Sequence, residues 1–119
     1  MPIDVTEKNF VEETAEGLVL LDFHAPWCGP CRMLGPVLEN LKGVKVVKVN
    51  VDEEKDLAVA YKVSSIPKLV FLKDGEEVDQ IVGLQGESAL QEKVNTLNGF
   101  PAGKVVVYDE NDNAIGAQG

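Results

Sequence analysis

Cys28 and Cys31 are the only two cysteines in the chain, and they flank Gly29-Pro30 directly after Trp27. A pair at that spacing supports thiol–disulfide exchange if one sulfur is held as a thiolate and the other can reach it. Pro30 suits the first turn of a helix, which places Cys28 at or just before the helix N-terminus. Unpaired backbone N–H groups and the helix dipole stabilise an anion there, so the Cys28 thiol is expected to ionise more readily than a free one. Cys31 follows one turn later on the same face, within disulfide reach and with its sulfur turned inward and less exposed than that of Cys28. Cys28 is the candidate nucleophile and Cys31 the candidate resolving thiol. Two other readings of the pair are weaker. A structural zinc site needs four ligands, and the one other soft donor in the chain is His24. An inert disulfide closing so short a loop would stabilise little by loop entropy.

The elements that must position this pair alternate between strand and helix patterns, with neither an internal repeat nor a low-complexity linker, which is an α/β signature. Ile3 to Val5 reads as a short strand. Thr6 is placed to cap a helix running through Thr14, with Phe10 and Val11 inward and Gly17 ending the unit. Leu18 to Phe23 is an apolar run interrupted only by Asp22, the pattern of a strand covered on both faces and central in its sheet. From Pro30 to Leu41, Met33, Leu34, Val37, Leu38 and Leu41 recur at helical spacing, with Pro36 predicting a kink and Gly43 a stop. Val44 to Val51 reads as another buried strand, and Asp52 caps a short helix through Tyr61. Lys68 to Lys73 and Glu77 to Val82 flank Asp74-Gly75, a hairpin signal that makes these strands antiparallel neighbours. A last helix runs from about Glu87 to Leu97, with Leu90, Val94 and Leu97 on one face and Asn98-Gly99 as its end signal.

A chain of 119 residues is expected to form one compact domain that needs no disulfide staples. Its 20 acidic against 11 basic residues give a net charge of −9, which disfavours both nucleic acid and an anionic membrane surface as partners. Met1 to Lys8 has no basic segment followed by an apolar one, and no run approaches the ~18 apolar residues of a membrane span. The expected location is cytoplasmic. In a reducing compartment a lone cysteine pair is more often catalytic or metal-binding than structural.

Trp27-Cys28-Gly29-Pro30-Cys31, preceded by Leu20-Leu21-Asp22-Phe23 and followed by Ser65-Ile66-Pro67 and Gly83, resembles the thioredoxin family over about residues 1–99. The resemblance implies a central mixed sheet flanked by helices on both faces and a dithiol–disulfide exchange activity with no bound cofactor. It implies that Asp22 is the general base for Cys31, and burial at the end of an apolar strand should raise its pKa to suit. The plainer reading of Asp22 is a strand-end residue that caps the following turn. Pro67 is implied to be cis and to face the cysteines, exposing the Ile66 backbone for pairing with an extended substrate segment. A proline lacking a ladder donor at the start of a strand is the simpler alternative. Gly83 would admit a closely approaching substrate chain or would be an ordinary turn glycine. Trp27, Gly29, Pro30, Ile66, Pro67 and Leu84 would form an apolar docking surface around Cys28.

Gly29-Pro30 places no cation beside Cys28, and a cation there would stabilise the reduced form and make the disulfide a better oxidant. The pair therefore reads as a reductant of target-protein disulfides. By resemblance its electrons come from NADPH through thioredoxin reductase, and the protein acts as a monomer. The rivals are a binding module of the same fold, for which Asp22, Cys28 and Cys31 would be superfluous, and a disulfide oxidase or isomerase.

Four features depart from the family pattern. His24 stands where an aromatic residue is common and either favours the Cys28 thiolate when protonated or simply packs its apolar body beside the motif. Pro26 also differs. Lys68 either places a charge near the substrate groove or is a solvated strand-end lysine. Phe100 to Gly119 forms an extension beyond the expected domain, with Val105 to Tyr108 and Ala114-Ile115 as weak strands around a polar turn. It reads as a hairpin, free or added to a sheet edge, or as a disordered tail.

Overall fold

The computed structural model describes residues 2–100 and 105–118. Its elements run β1 (Ile3–Asp4), α1 (Phe10–Thr14), β2 (Leu18–His24), α2 (Gly29–Glu39), β3 (Lys45–Asn50), α3 (Lys55–Ala60), β4 (Lys68–Lys73), β5 (Glu76–Val82), α4 (Glu87–Leu97), β6 (Val105–Tyr108) and β7 (Ala114–Gln118). Five strands form one sheet in the order β1-β3-β2-β4-β5, with β2 at its centre, parallel to β3 and antiparallel to β4. This is the mixed α/β sheet anticipated above.

Strand side chains alternate, so β2 sends Leu18 and Leu20 to one face and Val19, Leu21 and Phe23 to the other. The first set packs with Leu34 and Leu38 of α2 and Leu90 and Val94 of α4. The second packs with Phe10 of α1, with Leu57 and Tyr61 against it. Covering both faces explains why β2 tolerates no polar residue before Asp22. Leu34 and Leu38 are almost fully buried, and truncating either to alanine is expected to cost about 2–5 kcal/mol. These leucines anchor the helix that carries the cysteines.

Several boundaries and faces differ from the sequence reading. Thr6 does not cap α1: its own N–H donates to Asn9 Oδ1 at 2.9 Å and its hydroxyl accepts from the Lys8 N–H, closing a turn that delays the helix to Phe10. Val11 is 76% exposed and Met33 65% exposed, because each lies one residue, or about 100°, off the buried stripe of its helix. The inward stripe of α2 is Cys31, Leu34 and Leu38. Pro36 lies inside α2 without ending it, and the helix stops at Glu39. Asp52 precedes α3 but does not cap it. The β4–β5 hairpin forms as expected, with positive φ at both Asp74 and Gly75.

The extension folds as a two-stranded antiparallel sheet of its own, not as an added edge strand of the main sheet. Tyr108 fastens it: its hydroxyl donates to Asn95 Oδ1 at 2.6 Å and accepts from Gln91 Nε2 at 3.1 Å, both on α4. The ring also lies against Gly43, where a Cβ would stand 3.1 Å from it at a φ of +80°. The positive φ favours glycine there, and a side chain would also have to push Tyr108 and Asn98 aside by a few tenths of an ångström.

Candidate redox site

Cys28 is the N-cap of α2, with extended backbone angles (φ −86°, ψ 110°), and its Sγ accepts a hydrogen bond from the Cys31 N–H at 3.2 Å. Proline fills the first turn because the helix has no partner for an N–H there. The Cys28 sulfur therefore sits where a cap oxygen would normally sit, and a negative charge on it is stabilised by the donor and by the helix dipole. Cys28 and Cys31 are joined in a disulfide with their Cα atoms 5.2 Å apart, and both are buried to the same degree, so Cys31 is not the less exposed of the two as expected, because Ile66 also covers Cys28. Ala25 completes their cluster, with Val51 and Ile66 packed against it.

Asp22 and His24 follow Leu18 and Leu20 on the face of β2 that α2 covers. Asp22 is 1% exposed. Burial pushes its carboxyl up to about 6, with the Lys48 ammonium partly offsetting the effect. Lys48 faces Asp22 because the two are paired in register across β2 and β3. Burial also lowers the pKa of His24, and the charge of Lys48 adds to this, while Asp4 acts in the opposite sense. Burial and Lys48 thus both disfavour the cationic imidazole, which weighs against a protonated histidine favouring the Cys28 thiolate.

On the outer side, the Ile66–Pro67 peptide bond is cis, and the Ile66 carbonyl oxygen lies 3.9 Å from Cys28 Sγ. Pro67 is tied in turn to Gly83, whose N–H donates to its carbonyl at 2.8 Å. Gly83 has a φ of +103° and open space where a Cβ would point. Its conformation is one that L side chains rarely adopt, and the space beside it is free for another chain. Ile66 thus contacts Cys28 directly, and Gly83 is joined to the residue that follows Ile66. Gly29 is half-buried and Pro30 exposed beside them, while Leu84 is 44% exposed. Trp27 is 68% exposed and its indole Nε1 donates to Asp52 Oδ2 at 2.9 Å.

Lys68 belongs to neither of its anticipated roles. It is only 8% exposed, and its Nζ donates to the Tyr61 carbonyl at 2.7 Å on the face of the sheet away from α2. Alternation along β4 dictates this, since Leu69 and Phe71 take the α2 face. Three contributors escaped the sequence reading: Lys48, Asp52 and Arg32, whose guanidinium donates to the Pro26 carbonyl at 2.8 Å. Parallel pairing of β2 with β3 was the signal for Lys48. Among the described residues no group of three or more His, Cys, Asp and Glu side chains is arranged to hold a metal, and no helix is long and apolar enough to cross a membrane.

The family model described as Thioredoxin matches residues 1–96. Over 98 aligned residues the chain is 51% identical to a thioredoxin of Bacillus subtilis (strain 168), spanning 78% of this chain and 94% of that protein. It is 48% identical over 95 residues to a thioredoxin of Chlamydia pneumoniae, spanning 76% of this chain and 93% of that one. A solved structure of a mutant thioredoxin from Halobacterium salinarum NRC-1 superposes with a TM-score of 0.76 at 42% identity, covering 80% of this chain and 88% of that one.

Proposed function

This chain belongs to the thioredoxin family and is a thiol–disulfide oxidoreductase, and we propose that it works mainly as a reductant of protein disulfides, with Cys28 as nucleophile, Cys31 as resolving thiol and Asp22 as the base for Cys31. The Cys28 thiolate attacks one sulfur of the target disulfide, forming a mixed disulfide and releasing the other target sulfur as a thiolate. Asp22 takes the proton from the Cys31 thiol. The Cys31 thiolate then attacks Cys28 Sγ, closing the Cys28–Cys31 bond and expelling the second target thiolate. Two electrons pass from the pair to the target.

The observation that carries this reading is the cap position of Cys28, whose sulfur accepts the Cys31 N–H and so favours a thiolate. A carboxyl with a pKa of about 6 is matched to proton transfer near neutral pH, which supports the role given to Asp22. Trp27, Gly29, Pro30, Ile66, Pro67, Gly83 and Leu84 form the docking surface, with an extended target segment pairing to the Ile66 backbone. We take the protein to act as a monomer on disulfide-containing target proteins. Residues 1–99 are the redox domain and residues 100–119 an appended unit. With no cofactor of its own, the protein is reduced again by thioredoxin reductase at the expense of NADPH, in the cytoplasm.

The test is a coupled assay with NADPH, a bacterial thioredoxin reductase and insulin as the disulfide target. NADPH oxidation should depend on this chain and vanish with Cys28→Ser. A wild-type pair more oxidising than the glutathione pool would reverse the proposed direction.

A further inference from the structure

Among the described residues, only three buried side-chain nitrogen or oxygen atoms lack a hydrogen-bond partner: both carboxylate oxygens of Asp22 and Nε2 of His24. Unpaired buried polar atoms are costly, so three on one patch demand a common partner. Asp22 and His24 are two positions apart in β2 and leave the same face of the sheet, with Cβ atoms about 6–7 Å apart. Side chains leaving one face at that spacing can bring an acid oxygen and an imidazole nitrogen to two sides of one water, and buried waters settle where two or more unsatisfied polar groups converge.

Resting on the reading of Asp22 as the base for Cys31, we propose that His24 is a positioning residue for Asp22: its Nε2 and the Asp22 carboxyl hold one buried water between them, and that water keeps the carboxylate usable beneath α2. The water gives one hydrogen to the carboxylate and the other to Nε2. The imidazole must then be neutral, with its proton on Nδ1, and burial together with Lys48 holds it so. The other charges around the pair come from β3, from β1 beyond it and from the covering helix, while β4 presents Leu69 and Phe71 on this face. Lys48 of β3 is in register with Asp22, and Asp4 of β1 is in register with Lys48. Glu39 of α2 lines the cleft that Asp4 and Lys48 also line. Lys48 attracts the Asp22 charge but is a donor only, and so leaves Nε2 unpaired. An aromatic hydrocarbon at position 24 offers no acceptor and would leave the water a single partner.

The test follows the second step separately from the first. Reduced protein mixed with a peptide disulfide releases two thiols in succession, and the slower phase, resolution by Cys31, is recorded against pH in stopped flow. His24→Phe should move the midpoint of that profile upward by about one pH unit, which is about tenfold slower resolution on its acid side. Cys28 alkylation should move by less than twofold. His24→Gln, which keeps an acceptor oxygen, should retain the wild-type midpoint. An independent readout is the Asp22 carboxyl itself, titrated by NMR with labelled aspartate. An unchanged midpoint in His24→Phe, or a His24→Gln profile displaced as far as that of Phe, overturns the proposal. If His24→Phe does not fold, His24→Leu takes its place: an upward shift in Leu with the Gln midpoint retained upholds the proposal, and an unchanged midpoint in Leu overturns it. A wild type without any second thiol release would instead overturn the underlying reading of the site.

Discussion

The indole Nε1 of Trp27 donates to the Asp52 carboxylate at 2.9 Å across 25 residues of sequence. One bond therefore ties the residue before the nucleophile to the loop that follows β3, and orients an indole that is mostly in solvent.

Removing the acceptor should free the indole while leaving the fold intact. In Asp52→Ala the loss of stability is about 1 kcal/mol or less, because the bond is exposed to water. Trp27 is the only tryptophan in the chain, so its emission reports the change directly. Target reduction should slow severalfold, and Asp52→Asn, which keeps an acceptor oxygen, should stay close to wild type in both readouts.

Asp22 imposes a pH dependence on stability. Its folded-state pKa of about 6 lies above the ordinary value of 3.8, so the unfolded chain loses this proton first. Stability from this group is complete below about pH 4 and is lost as pH rises through 6, by about 3 kcal/mol in all. Asp22→Asn removes the titration. Denaturant midpoints should then show the variant gaining on wild type between pH 4 and pH 7 and flat in comparison below pH 4. The same substitution should slow resolution by Cys31 by about tenfold or more, because general-base help is lost.

Much of this arrangement was legible in the sequence. The apolar run of β2, the proline after Cys28 and the Asp74-Gly75 turn are local signals, and each is found where its physical rationale places it. What was illegible depends on neighbours distant in sequence. Asp52 looked like a helix cap because its partner, Trp27, lies in the distant turn between β2 and α2. Lys68 looked solvated because only the packing of α3 supplies the Tyr61 carbonyl that receives it. Met33 looked inward because a helix of mixed apolar residues does not reveal which stripe the sheet will select. His24 stood out as one of four departures from the family pattern, yet its unpartnered nitrogen is visible only once Asp22 is seen beside it on β2.

The C-terminal hairpin should contribute stability and not chemistry. Tyr108 contacts the end of the sheet where β2 and β3 begin, about 20 Å along β2 from the cysteines. Tyr108→Phe removes the bonds to Asn95 and Gln91. It should lower stability by about 1–2 kcal/mol in thermal or chemical denaturation, with the rate of disulfide reduction unchanged.

The division of labour between the two cysteines is tested most directly by mixing each reduced single variant with a peptide disulfide and mapping the products by mass spectrometry. Cys31→Ser should stop at a mixed disulfide on Cys28 with one thiol released, and Cys28→Ser should form no adduct on the same timescale. A prompt adduct on Cys31 in the Cys28→Ser protein, or full release of both target thiols by Cys31→Ser, would contradict the assignment.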